Sequence, residues 1–206
     1  MKKIITCLLT LSMMFMFSAT AFASDFSGNA ESELSNISDK IVTAVNDVYS
    51  DKNISITAED INYDSAFKIY VDTNVFKLST NVAGEIENAL ENGNYIYLLP
   101  IDTVNGTVVV NFQKGLPLSE NAKAILSEEE QQEVLDNAGK WVISSLALYK
   151  NGNSNYDYEK KLSSIIDEIP ADTILVGGLP IFQDVVALIP NSDGVIEELF
   201  LLPQQL

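Results

Sequence analysis

YIYLLPIDTVNGTVVVNF, residues 95–112, decides the fold. Two runs rich in β-branched and aromatic residues flank Asn105-Gly106. Such a pair between such runs is the strongest short-range signal for a β-hairpin, because a tight type I′ turn needs positive φ at both central residues. A two-residue turn there pairs Val104 with Thr107, Thr103 with Val108 and Ile101 with Val110. Tyr97, Leu99, Ile101, Val108, Val110 and Phe112 then share one apolar face, since successive strand side chains point to opposite sides. Pro100 is the misfit. In this register it faces Asn111 at a pair that should exchange two hydrogen bonds, and it has no N–H to give. A bulge there, or a type I turn with Gly106 as the bulge residue, would relieve it.

Something must cover that face, and helices predicted on either side are the candidates. Over residues 35–49 the apolar positions Ile37, Ile41, Val45 and Val48 fall at helical spacing. After a loose alternation from 54 to 75, whose best strand is 66–71, Ser79 or Thr80 caps a second helix with Val82, Ile86, Ala89 and Leu90 as its stripe and Gly93 as its stop. Beyond the hairpin, Ser119 opens a short helix. Ser127 and Glu130 have capping-box spacing ahead of Val134, Leu135 and Ala138. Helical spacing could continue through Gly139, but Trp141-Val142-Ile143 directly after a glycine favours a break and a strand over 140–149. Residues 158–169 read as a helix ended by Pro170. Residues 173–176, 184–189 and 195–202 read as strands, the last two joined by the turn 191–194. Helices interspersed with hairpins predict an α+β domain: an antiparallel sheet built on hairpins, with helices packed mainly on one face. The weakest join, and the expected sub-boundary, is 114–118.

The N-terminus reads as an address. Lys2 and Lys3 precede an apolar run from 4 to 17, and Ala21-Phe22-Ala23 offers the small residues of a cleavage site. The run is too short for a stable membrane anchor. Cys7 sits too early in it for a lipid acceptor. The expectation is a signal peptide over 1–23 cleaved after Ala23, a flexible leader over 24–34 and one α+β domain over 35–206, secreted and not inserted in a membrane after cleavage. Cleavage removes the chain's one cysteine, so no disulfide is expected, and a domain of this size does not need one.

Charge and missing residue types bound the chemistry. The chain carries 29 acidic against 12 basic residues and a net charge of −17. Without Lys2 and Lys3 the balance is 10 lysines against 29 acids, about −19 (10 − 29). Such a surface repels nucleic acid and anionic lipid. The expected mature chain has no histidine, arginine or cysteine. That removes Ser-His-Asp and Cys-His catalysis, zinc sites of the usual nitrogen and sulfur kind, and bidentate arginine clamps. Carboxylate acid–base chemistry, a Ser-Lys pair, tyrosine and oxygen ligands for hard cations remain.

Four constellations use those remaining groups. Ser65 and Lys68 have the S-x-x-K spacing of serine acyl-transfer enzymes, but lie in a strand-like run that points them to opposite faces, without the companion motifs. Asn151, Asn153, Asn155, Asp157 and Glu159 alternate as calcium loops do, yet a loop counted from Asn151 fails at its first, sixth and twelfth positions, Asn151, Tyr156 and Leu162. No metal site is therefore expected. Carboxylate pairs are too many to single out catalytic residues, although Asp102 and Asp184 fall in apolar strands. Among the aromatics Tyr95, Tyr97, Trp141, Tyr149, Tyr156 and Tyr158, the candidate binding residues are Tyr156 and Tyr158, beside the Asn-rich loop, and Trp141. The expectation is a non-catalytic binding or interaction module of an unidentified protein or glycan, without cofactor. The rivals are a two-carboxylate hydrolase of wall polymers or glycans, and an inhibitor or chaperone-like partner that uses strand 195–202 as an open edge.

Overall fold

The structure, a computed structural model, describes residues 26–179 and 184–203. The expected signal peptide lies outside them. The chain is α+β, with a seven-stranded mixed sheet. In chain order its elements are α1 (Ala30–Leu34), α2 (Ser38–Val48), β1 (Phe67–Val71), α3 (Ala83–Glu91), β2 (Asn94–Thr103), β3 (Gly106–Lys114), α4 (Glu120–Lys123), α5 (Glu128–Asn137), β4 (Trp141–Tyr149), α6 (Tyr158–Ser163), β5 (Ile174–Val176), β6 (Val185–Pro190) and β7 (Ile196–Leu202). The strands lie in the order β4-β3-β2-β1-β5-β6-β7.

The hairpin 95–112 forms, but two residues out of the expected register. Thr103 pairs with Gly106, Ile101 with Val108, Leu99 with Val110 and Tyr97 with Phe112. A slip of one residue would turn every side chain over; a slip of two leaves each on its face. The apolar face is accordingly the expected one, with Tyr97, Leu99, Ile101, Val108, Val110 and Phe112 all buried. Pro100 now faces Val109. Counted out from the closing pair Thr103–Gly106, that is a non-hydrogen-bonded position, where β3 asks for no N–H from it. On its other side β1 begins only at Phe67, paired with Leu98, so Pro100 lies past the end of that neighbour.

The antiparallel expectation fails at one joint. β1 runs parallel to β5, through Tyr70 and Val176, while every other strand pairing is antiparallel. That joint fuses a four-stranded half with a three-stranded C-terminal half. β5 is buried on both sides, which is why it reads as a continuous Ile-Leu-Val run and not as an alternation.

The covering helices divide between the two faces. α1 and α2 bury Ala30, Leu34, Ile41 and Val45 on the Tyr97–Phe112 face. On the same face α3 sets Ala83, Ile86 and Leu90 against Tyr70, Ile174, Val176, Val186 and Leu188. The opposite face carries Phe26 and α6, whose Tyr158 and Leu162 pack on Phe67, Leu98, Val109 and Leu175. Helices therefore lie on both faces, with α6 as the departure from the expectation.

Within the span expected as leader, the described residues pack into the fold. Phe26, Ala30 and Leu34 are core residues, and the Lys68 N–H donates to the Phe26 carbonyl at 2.7 Å. Asn46 of α2 ties down the following loop with a pair of bonds, accepting from the Ile56 N–H at 2.8 Å and donating to its carbonyl at 3.0 Å. The helix expected at Ser79 or Thr80 starts later, at Ala83, and that expected over 158–169 ends at Ser163. The break at Gly139 and the strand after it form as expected. At the expected sub-boundary the chain leaves the sheet: α4 and α5 bury no residue, and Gly115 rejoins the returning chain through a bridge to Ala138.

Candidate binding site

Between the cover given by α1 and α2 and that given by α3, Tyr95 packs against both layers. At this seam the strands present a run of aromatic rings. Alternation along β2 puts Tyr95 and Tyr97 on one face, pairing sets Tyr70 opposite Tyr95, and Trp141 starts β4 opposite Lys114. Tyr95 meets Tyr97 edge-on at 5.7 Å between centroids, and Trp141 tilts over both, at 5.4 and 5.1 Å.

One carboxylate holds this group together. Glu33 of α1 accepts from the Tyr95 hydroxyl at 2.8 Å, from the Trp141 indole N–H at 2.9 Å and, more weakly, from the Tyr97 hydroxyl at 3.4 Å. Three donors from two strands thus converge on a five-residue helix that is too short to persist alone. Burial first, and the Glu33 carboxylate second, push both tyrosine hydroxyls well above the usual phenol range.

Because those raised values belong to the folded state, the neutral phenols contribute stability that is complete below about pH 10, the ordinary value for an unfolded tyrosine, and is lost as pH climbs beyond it. The denaturant midpoint is therefore expected to fall progressively above about pH 10. Replacing Tyr97 with Phe should flatten that fall. Denaturant titrations at a series of alkaline pH values, with tyrosinate absorbance followed in parallel, check both.

Two lysines complete the seam. The Lys68 ammonium lies 4.7 Å from the Tyr70 centroid and 4.4 Å from that of Tyr95. The Lys114 ammonium lies 4.9 Å from the Tyr95 centroid and 5.3 Å from that of Trp141. Both cations thus share the Tyr95 ring, an arrangement attractive by about 0.5–2 kcal/mol per contact depending on desolvation. Beside them, at the strand ends, is a pocket lined by Asp72, Asn94, Tyr95, Gln113, Lys114 and Leu116.

The residues singled out from sequence do not meet in one place. Trp141 is in the seam. Tyr158 is fully buried on the opposite face, edge-on to Phe67 at 5.3 Å, and belongs to the core. Tyr156 is half-buried, packs at a tilt against Tyr149 at the far end of β4 and donates to Thr107 Oγ1 at 3.0 Å. Ser65 donates to the Asn62 carbonyl at 2.7 Å while Lys68 lies on its rings, so the two form no dyad.

Comparison of the chain with protein families, curated proteins and solved structures finds no match.

Other carboxylates serve local structure. Asp60 and Glu130 are held below the usual range by the backbone N–H and hydroxyl of Thr57 and Ser127, the opposite of what a general acid needs. Asp102 accepts from Thr107 Oγ1 at 2.7 Å on an exposed stretch. Among the described residues no group of three or more metal-ligating side chains stands together, and no helix is long and apolar enough to cross a membrane. In the Asn-rich loop, Asn153 Oδ1 accepts from the Asn155 N–H at 3.0 Å and Asp157 Oδ1 caps α6 through the Lys160 N–H at 2.8 Å. With these oxygens engaged by the backbone, millimolar calcium is expected to leave the melting temperature within about a degree of its value in chelator. A rise of many degrees in a thermal melt would reveal a site.

Proposed function

We propose that the protein is an exported, non-catalytic binding module whose ligand surface is the aromatic seam. The observation that carries this reading is the pair of ammoniums sharing the Tyr95 ring in a chain of net charge −17. With acids so abundant, lysines resting on rings are an arranged surface. The neighbouring carboxylate, Glu33, accepts from three donors and orders the rings. The acidic surface argues against nucleic acid and anionic membranes as partners, and in favour of a protein or glycan. Export rests on the charged, then apolar, then small-residue order of 1–23.

The rival is a two-carboxylate hydrolase. Turnover of a wall polymer or glycan by purified protein, abolished by one acid-to-amide substitution, would replace the binding module with an enzyme. Absence of turnover across wall polymers and soluble glycans is the expected result.

A second reading has its own observation. β7 ends the sheet, and its Leu199 and Leu201 are about half exposed. An open apolar edge is a template for an added strand. If an exported partner docks there, it is captured from culture supernatant by the native protein and lost with Leu199→Lys. Equal recovery with both proteins would remove β7 from consideration.

A further inference from the structure

Resting on the binding-module reading, we infer that the seam is a site for a small carboxylate-bearing ligand, held between the Lys68 and Lys114 ammoniums with its apolar or ring portion laid on the exposed parts of Tyr95 and Trp141.

The two cations give the charge. Both are within 5 Å of one ring centroid, so the gap between them is bounded by the width of that arrangement. Neither makes an ion pair among the described residues, whose salt bridges are Lys52–Asp51 and Lys123–Glu120. Each ammonium has three donors, and a ring face satisfies none of them as an oxygen would. The two acids at the seam have donors of their own. Glu33 takes the tyrosine and tryptophan donors, and Asp72 accepts from Asn94 Nδ2 at 3.2 Å.

Placement supports the same ligand. Lys68 is half-buried under Gly28, where a built Cβ would stand 3.1 Å from the lysine Cδ, so its stem is confined. Lys114 is exposed at the end of β3 and lines the pocket with Asn94 and Gln113, whose amides can add donors. A confined lysine and an exposed one thus flank the same ring.

Size follows from the field of the whole chain. A polyanion would extend over a surface of net charge −17 and be repelled. A small monoanion feels mainly charges within a Debye length, about 8 Å at physiological salt, where Lys68 and Lys114 offset Glu33 and Asp72. Lysine is a point charge without arginine's planar fork, so discrimination comes from the rings and favours a flat or sugar-like face beside the carboxylate.

Trp141 is the chain's one tryptophan, so its fluorescence reports from the seam itself. The test titrates the folded protein with benzoate, with benzylammonium and with inorganic phosphate. The expected result is a saturable change in emission with benzoate, at least tenfold weaker in Lys114→Gln and in Lys68→Gln, with benzylammonium inert. Lys114→Gln is a surface change, and a native circular-dichroism spectrum makes its result decisive if Lys68→Gln fails to fold. Saturation by phosphate as tight as by benzoate would overturn the carboxylate-with-ring assignment. So would an unsaturable benzoate response, or one indifferent to Lys114→Gln. Saturable benzylammonium binding would overturn the anion site yet leave a binding seam, whereas glycan turnover would overturn the binding module whatever benzoate does.

Discussion

Glu33→Ala will destabilise the protein by about 3 kcal/mol, measured as a shift in denaturant midpoint at constant slope. The cost comes from the donors left behind. Tyr97 is fully buried, and its hydroxyl loses the acceptor to which it donates; Tyr95 and Trp141 are part-exposed and recover some of their loss from water. A buried donor without a partner costs about 1–3 kcal/mol, and the exposed pair adds a smaller amount. Glu33→Gln keeps one acceptor oxygen in place and should recover more than half of the loss. The network also predicts coupling. Glu33→Ala combined with Tyr95→Phe should cost less than the two singly, by about 1 kcal/mol, because one change removes the partner of the other. Strict additivity would mean that Glu33 acts through helix α1 alone and not through the rings. In hydrogen exchange, Glu33→Ala should loosen 26–34 selectively, since α1 is docked by this carboxylate and by Leu34.

How much of this was legible in the sequence depends on how local each cause is. The faces of the hairpin were readable because they depend on alternation, which a two-residue slip preserves. The register was readable only in part: Asn105-Gly106 advertises a type I′ turn, whereas Pro100 marks that register as strained, and of the turn residues Gly106 alone has positive φ. The strand after Gly139 was readable from a glycine and three bulky residues. The parallel joint was not, since about a hundred residues separate β1 from β5 and no local pattern records which edge a three-residue strand will seek. α1 is hidden for a related reason. Ala30-Glu31-Ser32-Glu33-Leu34 offers two apolar residues and reads as leader, and its place is set by burial of Ala30 and Leu34 and by contacts with Tyr95, Tyr97 and Trp141, far along the chain. In the seam, Trp141 is legible as a candidate and the two tyrosines only as aromatics. Lys68 has a sequence signal only in an S-x-x-K spacing that forms no dyad, and Lys114 carries none beyond being a lysine at a strand end.

Gly106→Ala should be more damaging than its size suggests, at about 3–5 kcal/mol. Gly106 closes the hairpin with φ near +140°, a region that side-chain-bearing residues rarely enter. The strain of placing alanine there is about 1–3 kcal/mol. A Cβ would also stand 2.3 Å from the Tyr149 carbonyl oxygen and 3.2 Å from a Leu148 methyl, far inside contact distance of a backbone atom. Relief requires β4 to move away from β3, breaking the ladder at the pair Thr107–Tyr149. Gly139 separates the two causes. It too has positive φ, +72°, but nothing lies within 4 Å of its built Cβ, so Gly139→Ala should carry only the conformational cost, about 1–2 kcal/mol. Because β4 is an edge strand, the Gly106 variant is expected to fray from the Tyr149 end first, with amide protection lost at 107–109 while Trp141, at the other end of β4, keeps its native emission. Equal costs for the two substitutions would mean that backbone strain alone is at work and that β4 does not press on the turn.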